Sequence, residues 1–222
     1  LAIADLFAGA HLVQGLLACL VRRGIKGDGG RVEVSLMESV LDFQFEVITT
    51  HLNDGGLLPR RSGVNNAHAY LGAPYGIYAT SDGFLSLAMG SVMRLGELLE
   101  CPALLQYTDS KRYFTERDEI KAILARHLAT HPTAHWLSIL EPADIWCAEV
   151  LTWDKLMEHD AFTVIDFIKE VKRREGITLE TTRCPIRIDG EIYKCPQGAP
   201  SLGQHTTAIL SEFLQSPREV QE

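Results

Sequence analysis

Cationic residues are in deficit in this chain of 222 residues: 21 Lys and Arg stand against 29 Asp and Glu, a formal charge of −8. That balance excludes a general affinity for nucleic acid or an anionic membrane. Cysteine is limited to five scattered residues, Cys19, Cys101, Cys147, Cys184 and Cys195, with no CxxC pair. Such a pattern reads as reduced, mostly buried thiols of a cytosolic protein rather than a disulfide framework or a metal knot. There is no phosphate-binding P-loop, no GxGxxG and no GxSxG around a serine, and the serines, cysteines and histidines form no recognisable triad. Residues 6–21 are apolar, but they are short for a membrane span, contain His11 and Gln14, and follow no charged segment of the signal-peptide kind. Low-complexity tracts are also missing; with 46% hydrophobic and 23% charged residues, the chain has enough apolar material for a core and is not of the disordered class. Its length suits one domain or two small ones.

The most informative stretch is the first thirty-six residues, which read LAIADLFAGAHLVQGLLACLVRRGIKGDGGRVEVSL. Asp5 occupies an N-cap or first-turn position ahead of Leu12, Val13, Leu16, Leu17, Leu20 and Val21 at helical spacing. There the helix dipole and the free N–H groups favour an ionised acid. The position fits an ordinary capping aspartate, and it also fits a carboxylate held at the edge of a core and available as a nucleophile. The helix, expected from Asp5 to about Arg23, is apolar on nearly every side and should be buried as a helix beside a parallel sheet is. Gly9 and Gly15 would let another backbone approach it. Arg22, Arg23 and Lys26 suit the negative end of its dipole, and Gly24–Gly30 forms the turn that follows.

Residues 31–36 alternate as a strand does, with Val32, Val34 and Leu36 on one face. Ser35 and Glu38 then make a capping box for a helix expected from about Met37 to Asn53. Helix, strand, helix is the tail of a βαβ pattern. A lone pair of this kind cannot supply its own sheet and needs strands from elsewhere. Residues 54–73 read as a linker with glycines, Pro59 and Asn65-Asn66. A hairpin follows, with strands Ile77–Thr80 and Phe84–Met89 around Ser81-Asp82-Gly83. Helices are expected at Ser91–Glu100, at Thr115–Ala129 and at Pro132–Leu140 with Trp136. These elements make a small α+β domain over residues 74–175, with the basic stretch 171–176 as its exit. Residues 184–191 read as a strand and 203–214 as a closing helix capped near His205-Thr206. His127, His131 and His135 share a metal-like spacing, but Pro132 breaks their helix, so no metal site is read from them.

The pieces IADLFAG, GIKGDGGRVEVSLMES, GAPYGIYATSDGFLSLAMGS, CPIRIDG and GQHT, in that order, resemble the class III CoA-transferases, the family of the formyl-CoA and carnitine-type CoA-transferases with alpha-methylacyl-CoA racemase as a close branch. The resemblance covers nearly the whole chain and implies an α/β fold: part of a Rossmann-like parallel-sheet domain plus a smaller α+β domain. Members begin with a long nucleotide-fold half that has no counterpart here, so residues 1–53 correspond to the C-terminal portion of the large domain and residues 176–222 to a segment returning to it.

The same resemblance implies a catalytic role for Asp5 and substrate or CoA contacts for Gly9, Gly72, Ala73, Pro74 and Tyr75. By resemblance the substrates are an acyl-CoA and a carboxylic acid acceptor. CoA serves as substrate, with no tightly bound cofactor and no metal. The assembly is an interlocked homodimer or a complex with an N-terminal half, and the location is cytoplasmic. Racemases of the branch tend to carry a glutamate shortly after the glycine that ends the hairpin strand. Here Gly90 is followed by Ser91, Val92, Met93 and Arg94, which favours transfer over racemisation. A third reading is a chain inactive by itself, acting as a subunit or assembly piece.

Overall fold

A computed structural model describes residues 2–64, 68–173 and 176–215. Asn65 and Asn66 of the expected linker, Arg174 and Glu175 of the basic stretch, and the last seven residues lie outside the described residues. Two compact units are formed, Leu1–Val150 and Leu151–Glu222.

The first unit opens with α1 (Ile3–Lys26), a 24-residue helix with Asp5 in its first turn and Arg23 and Lys26 in its last. Gly27 ends it in a left-handed conformation (φ 81°), its N–H returning to the Arg23 carbonyl at 2.9 Å, so the loose carbonyls of the last turn are met by backbone. The expected burial is not found: no residue of α1 is buried, and Leu6, Val21 and Ile25 are more than 60% exposed. The strand expected at 31–36 is not formed either; among the described residues no other segment pairs with it. Both departures have one physical cause. A strand exists only when a neighbour takes up its N–H and C=O groups, and a helix is buried only when a sheet or helix covers it. Length and a mean hydropathy of 1.6 over 18 residues would also let α1 cross a bilayer.

Helix α2 (Leu36–Phe43) begins at Ser35, whose hydroxyl oxygen accepts the Glu38 N–H at 3.1 Å. The Glu38 carboxylate returns to the Ser35 hydroxyl at 2.5 Å rather than to its N–H. The single helix expected over 37–53 is two: Gln44 leaves helical geometry (φ −97°, ψ 14°), its N–H tightening onto the Leu41 carbonyl at 3.0 Å, and α3 (Phe45–Asn53) follows.

Residues 76–150 build the core. Strands β1 (Gly76–Ala79) and β2 (Phe84–Leu87) form the expected hairpin, with Tyr78 opposite Leu85, and β3 (Cys147–Glu149) adds antiparallel to β2. Period-2 burial turns Tyr78, Leu85 and Leu87 inward. Against them pack α4 (Val92–Leu98), a 3₁₀ turn (Pro102–Leu104), α5 (Arg112–Thr115), α6 (Arg117–Leu128) and α7 (Thr133–Leu140). Ile120, Leu124 and Leu128 recur at helical spacing and are fully buried; each such side chain contributes about 1.5–3 kcal/mol of apolar burial. Trp136 is 2% exposed, and its indole N–H is satisfied by the Leu128 carbonyl at 2.8 Å.

The second unit contains α8 (Trp153–Glu158), α9 (Asp160–Val164), the antiparallel hairpin β4 (Ile168–Lys172) with β5 (Thr178–Thr182), the two-residue strands β6 (Arg187–Ile188) and β7 (Glu191–Ile192), and α10 (Thr206–Gln215). Residues 184–191, expected as one strand, instead turn back on themselves at Asp189-Gly190, both at positive φ (53° and 84°). Within this unit Arg183 is 5% exposed and donates to the carbonyls of Ile165, Asp166 and Cys184 at 2.6–2.8 Å. The overall class is the mixed α/β one expected from the sequence. Apart from one parallel bridge, Lys172 to Gln197, the described strands pair antiparallel.

Candidate functional site

The candidate residues fall in two places on the first unit. Asp5 and Gly9 lie on one turn and the next of α1, both exposed. A methyl group built on Gly9 would meet nothing within 4 Å, whereas one on Gly15 would lie 2.6 Å from Val32 Cγ1. Gly15 is therefore the packing glycine, letting the extended segment lie across the helix, and Gly9 borders open space. Gly9 and Leu12 line a shallow groove of about 430 Å³ closed on its far side by Val32 and Val34. Asp5 is not among its lining residues.

The segment Gly72–Tyr75 is held firmly. A Cβ on Gly72 would sit 2.8 Å from the Tyr113 carbonyl oxygen and 2.9 Å from its carbon, so a side chain there has no room. The Ala73 N–H donates to that same carbonyl at 2.8 Å. Ala73–Pro74 is a cis peptide, and the buried Tyr78 hydroxyl donates to the Pro74 carbonyl at 2.5 Å. Burial raises the Tyr78 phenol above its usual range, keeping it a donor. Two hydrogen bonds from neighbouring structure thus hold the backbone immediately before Tyr75.

Tyr75 lines a cavity of about 970 Å³, together with residues of α3, the linker and the sheet. Ile77, Leu87, Ala88, Trp146 and Val47 give it apolar walls; Arg61, His68 and Gln44 bring polar groups. The Tyr70 N–H donates to His68 Nδ1 at 3.2 Å, which places the His68 proton on Nε2, 3.8 Å from a Glu46 carboxylate oxygen. Burial, with Glu141 adding to it, pushes the Cys147 thiol above its ordinary value. Of the candidates, Gly9 lines the groove and Tyr75 the cavity, the two share no lining residue, and Asp5, Gly72, Ala73 and Pro74 are among the lining residues of neither.

One constellation went unrecognised in the sequence. His11 joins Ser39 through Nδ1 at 3.0 Å and Asp42 through Nε2 at 3.1 Å, a serine–histidine–carboxylate contact between α1 and α2. Ser39 is 2% exposed and its hydroxyl also donates to the Ser35 carbonyl at 2.9 Å. A hydroxyl so enclosed is out of a substrate's reach, and the set ties two helices together, with Phe7 and Phe43 packed beside it at 4.5 Å. The signal for it was the i, i+3 pair Ser39 and Asp42 on one helix face; nothing in the sequence joined them to His11.

His127, His131 and His135 serve packing. His131 and His135 stack at 4.4 Å and flank Trp136, while His127 Nε2 meets the Leu99 carbonyl at 2.7 Å. Among the described residues no group of three or more His, Cys, Asp or Glu could hold a metal. The expectation of mostly buried thiols needs correction. Cys101 is buried, Cys19 and Cys147 are half-buried, and Cys184 and Cys195 are exposed, because the loops of the second unit carry little core to cover them.

The sequence model of CoA-transferase family III matches residues 1–206. The chain belongs to this family. Similar proteins include a succinate–glutarate CoA-transferase of Agrobacterium fabrum, 24% identical over 96% of this chain and 54% of that one. An acetyl-CoA:oxalate CoA-transferase of Acetobacter aceti is 23% identical over 95% and 54%. Among solved structures, Rv3272 from Mycobacterium tuberculosis superposes with a TM-score of 0.72 at 21% identity, covering 93% of this chain and 55% of that one. A CAIB/BAIF family protein from Brucella suis gives 0.70 at 20%, covering 96% and 55%. These structures share the fold. The chain spans about half the length of the relatives it matches.

Proposed function

We propose that the chain carries acyl-CoA:carboxylate CoA-transfer chemistry, with Asp5 as the nucleophile. The observation that supports this most is Asp5 itself, an exposed carboxylate in the first turn of a 24-residue helix of a family III CoA-transferase chain. A first-turn position suits a carboxylate, because the loose N–H groups and the dipole face it.

In the proposed cycle the Asp5 carboxylate attacks the thioester carbonyl, and the C–S bond breaks to give a mixed aspartyl–acyl anhydride and CoA thiolate. The thiolate then attacks the aspartyl carbonyl, releasing the donor acid as its carboxylate and leaving an aspartyl–CoA thioester. An acceptor carboxylate displaces CoA to form a second anhydride. Attack of the thiolate on the acceptor's carbonyl yields the new acyl-CoA and frees Asp5. Covalent catalysis here replaces one difficult exchange by several easier ones.

Each tetrahedral oxyanion calls for fixed donors. Within Gly72–Tyr75 the Ala73 N–H is committed to Tyr113 and Pro74 has none, so a donor from this segment would be the N–H of Gly72 or Tyr75. Gly9, open on its outer side, would give a thioester room beside α1.

A second reading has an observation of its own. α1 is apolar and has no buried residue, and the segment 31–35 pairs with no other described segment. Turnover would then require a further polypeptide that covers α1 and completes the sheet. Racemisation is disfavoured at the position after Gly90, where Ser91 caps α4 by accepting the Arg94 N–H at 3.2 Å.

Intact-mass analysis tests the proposal: the chain is incubated with an acyl-CoA, alone and with a relative's N-terminal half supplied separately. A CoA-mass adduct on the Asp5 peptide, lost in Asp5→Asn, is expected. No adduct under either condition overturns the nucleophile assignment; an adduct formed only with the added half assigns activity to the assembly.

A further inference from the structure

The cavity beside Tyr75 has two walls of different construction. One belongs to the sheet, where Ile77, Leu87 and Cys147 lie on paired strands. The other is linker: Pro59 and Arg61 come from one pass of the chain, His68 and Ala69 from a second. Residues 57–62 form no helix and no strand, and from Leu57 to Gly63 only Ser62 is buried. Apolar burial therefore does little to hold the first pass, and a segment with few buried contacts opens most readily.

Hydrogen bonds hold this wall instead, and they come from two neighbouring residues at the start of α6. The Arg117 guanidinium donates through Nη1 to the Ala69 carbonyl at 2.6 Å and through Nη2 to the Arg60 carbonyl, so one side chain joins both passes. Its position is supported by the Phe114 ring, whose centre lies 4.7 Å from Arg117 Cζ. Asp118 Oδ1 accepts the Gly63 N–H at 2.9 Å and the Ser62 hydroxyl at 2.7 Å, a proton that Ser62 shares with the Val64 carbonyl. The Ser62 bond holds the Asp118 carboxyl below its ordinary range, so it stays an acceptor. Arg61 is thereby bracketed: the residue before it is tied to Arg117 and the residue after it to Asp118. Neither Arg117 nor Asp118 lines the cavity itself.

We propose that Arg117 and Asp118 form a clasp that sets the linker wall of this cavity, and that releasing the clasp opens the cavity while the core stays folded. The clasp is a property of the fold and stands whether or not Asp5 is a nucleophile. It needs a guanidinium, because carbonyls on two passes of the chain call for donors on two arms of one rigid fork, which the compact ammonium of lysine does not offer. From Asp118 it needs only an acceptor oxygen.

The test is limited trypsin digestion of the native chain, read by peptide mass spectrometry, with N-ethylmaleimide labelling in parallel. Arg60 and Arg61 place two tryptic bonds in the wall itself, and the bond after Arg126, inside α6, reports unfolding of the core. Nicking of a native chain follows the population of its opened form. Arg117→Ala should speed cleavage after Arg60 and Arg61 about tenfold or more relative to Arg126, as loss of bonds from a charged donor does. Arg117→Lys should resemble Arg117→Ala rather than the parent. Asp118→Ala should also speed cleavage, and Asp118→Asn, which keeps Oδ1, should do so less. Cys147, half-buried in the cavity wall, should be labelled severalfold faster in Arg117→Ala, while the buried Cys101 keeps the parent's rate. Parent-like nicking in Arg117→Ala overturns the proposal. So does cleavage after Arg126 that rises in step, which would make Arg117 a support of the core as a whole. Full rescue by Arg117→Lys, or an unchanged Cys147 rate in a chain nicked faster at Arg60 and Arg61, overturns it as well.

Discussion

Asp82 Oδ1, at the tip of the β1–β2 hairpin, accepts the backbone N–H of Thr133 at 2.8 Å and the Thr133 hydroxyl at 3.0 Å. A residue fifty-one positions away in sequence thereby caps the first turn of α7, while Pro132, the residue at the cap position itself, makes no side-chain bond. The hairpin tip is in turn closed by the Thr80 hydroxyl, which accepts the Gly83 N–H at 3.0 Å and meets the Thr133 hydroxyl at 2.7 Å. Asp82→Ala should cost about 1–2 kcal/mol, the worth of a lost cap, and lower the melting temperature by a few degrees. Asp82→Asn keeps an acceptor oxygen and should recover most of the loss. Thermal unfolding of the three proteins side by side checks this; an unchanged Asp82→Ala protein would show that the hydroxyls suffice.

The two glycines assigned to the substrate should respond in opposite ways. Gly72→Ala drives a Cβ into the Tyr113 backbone, 2.8 Å from its oxygen, and backbone does not yield as a flexible side chain would. A cost of about 1–3 kcal/mol is expected, with faster hydrogen exchange at the Ala73 amide as its bond to Tyr113 loosens. Gly9→Ala meets nothing within 4 Å and lies inside a helix, so it should stabilise the chain by about 0.5–1 kcal/mol. If Gly9→Ala abolishes transfer while raising stability, the methyl occupies space the thioester needs. Full activity in Gly9→Ala would remove Gly9 from the site.

Much of this fold was legible because it is local. Ser35 and Glu38, the turn Ser81-Asp82-Gly83, and the Ile120, Leu124 and Leu128 spacing are short-range patterns, and each gives the element it foretells. The alternation of Val32, Val34 and Leu36 is equally local, yet a strand is a pairing and not a property of one segment, so the pattern stands without its partner. Strand β3 at Cys147–Glu149 escaped notice for the complementary reason: three residues carry too little periodicity, and their strand character comes from Leu85 and Leu87 beside them. The break at Gln44 has no glycine or proline to announce it. Of the candidate site, the residues of GAPYG stood out as a motif, but the cavity they border draws on Arg61, Ile77 and Trp146, which only the fold brings together.

The nucleophile assignment makes a sharper kinetic demand than loss of activity. Asp5 forms no hydrogen bond that its replacement would strand in the core, being exposed on α1. Asp5→Asn is nearly isosteric and should leave unfolding within about 0.5 kcal/mol of the parent. In the assembly that turns over, it should lower kcat by about a thousandfold or more, as removal of a covalent nucleophile does. Asp5→Glu, which retains the carboxylate but moves it by one methylene, should also be impaired, because attack depends on sub-ångström placement. Parent-like turnover in Asp5→Asn would return Asp5 to the ordinary role of a first-turn acid.

Lys121 gives the pH dependence its sign. Its side chain is fully buried on α6, and among the described residues Nζ has no hydrogen-bond partner. Burial lowers its pKa, Arg117 lowers it further, and Asp118 acts in the opposite direction. A lysine whose pKa falls on folding binds fewer protons in the folded than in the unfolded chain, so the charged form penalises folding at neutral pH. That penalty is relieved as pH rises from the lowered value to the ordinary 10.5, where both states are neutral. Stability of the first unit should therefore climb over that window unless other groups oppose it. Lys121→Met keeps the apolar stem and removes the stranded donor. It should raise stability at neutral pH by about 1–3 kcal/mol and flatten the alkaline slope. Denaturant unfolding of the parent and of Lys121→Met, from neutral pH to the ordinary lysine range, reads both quantities. A variant that is less stable at neutral pH, or whose slope matches the parent's, would mean that Lys121 holds its charge against a partner and is part of what keeps α6 in place.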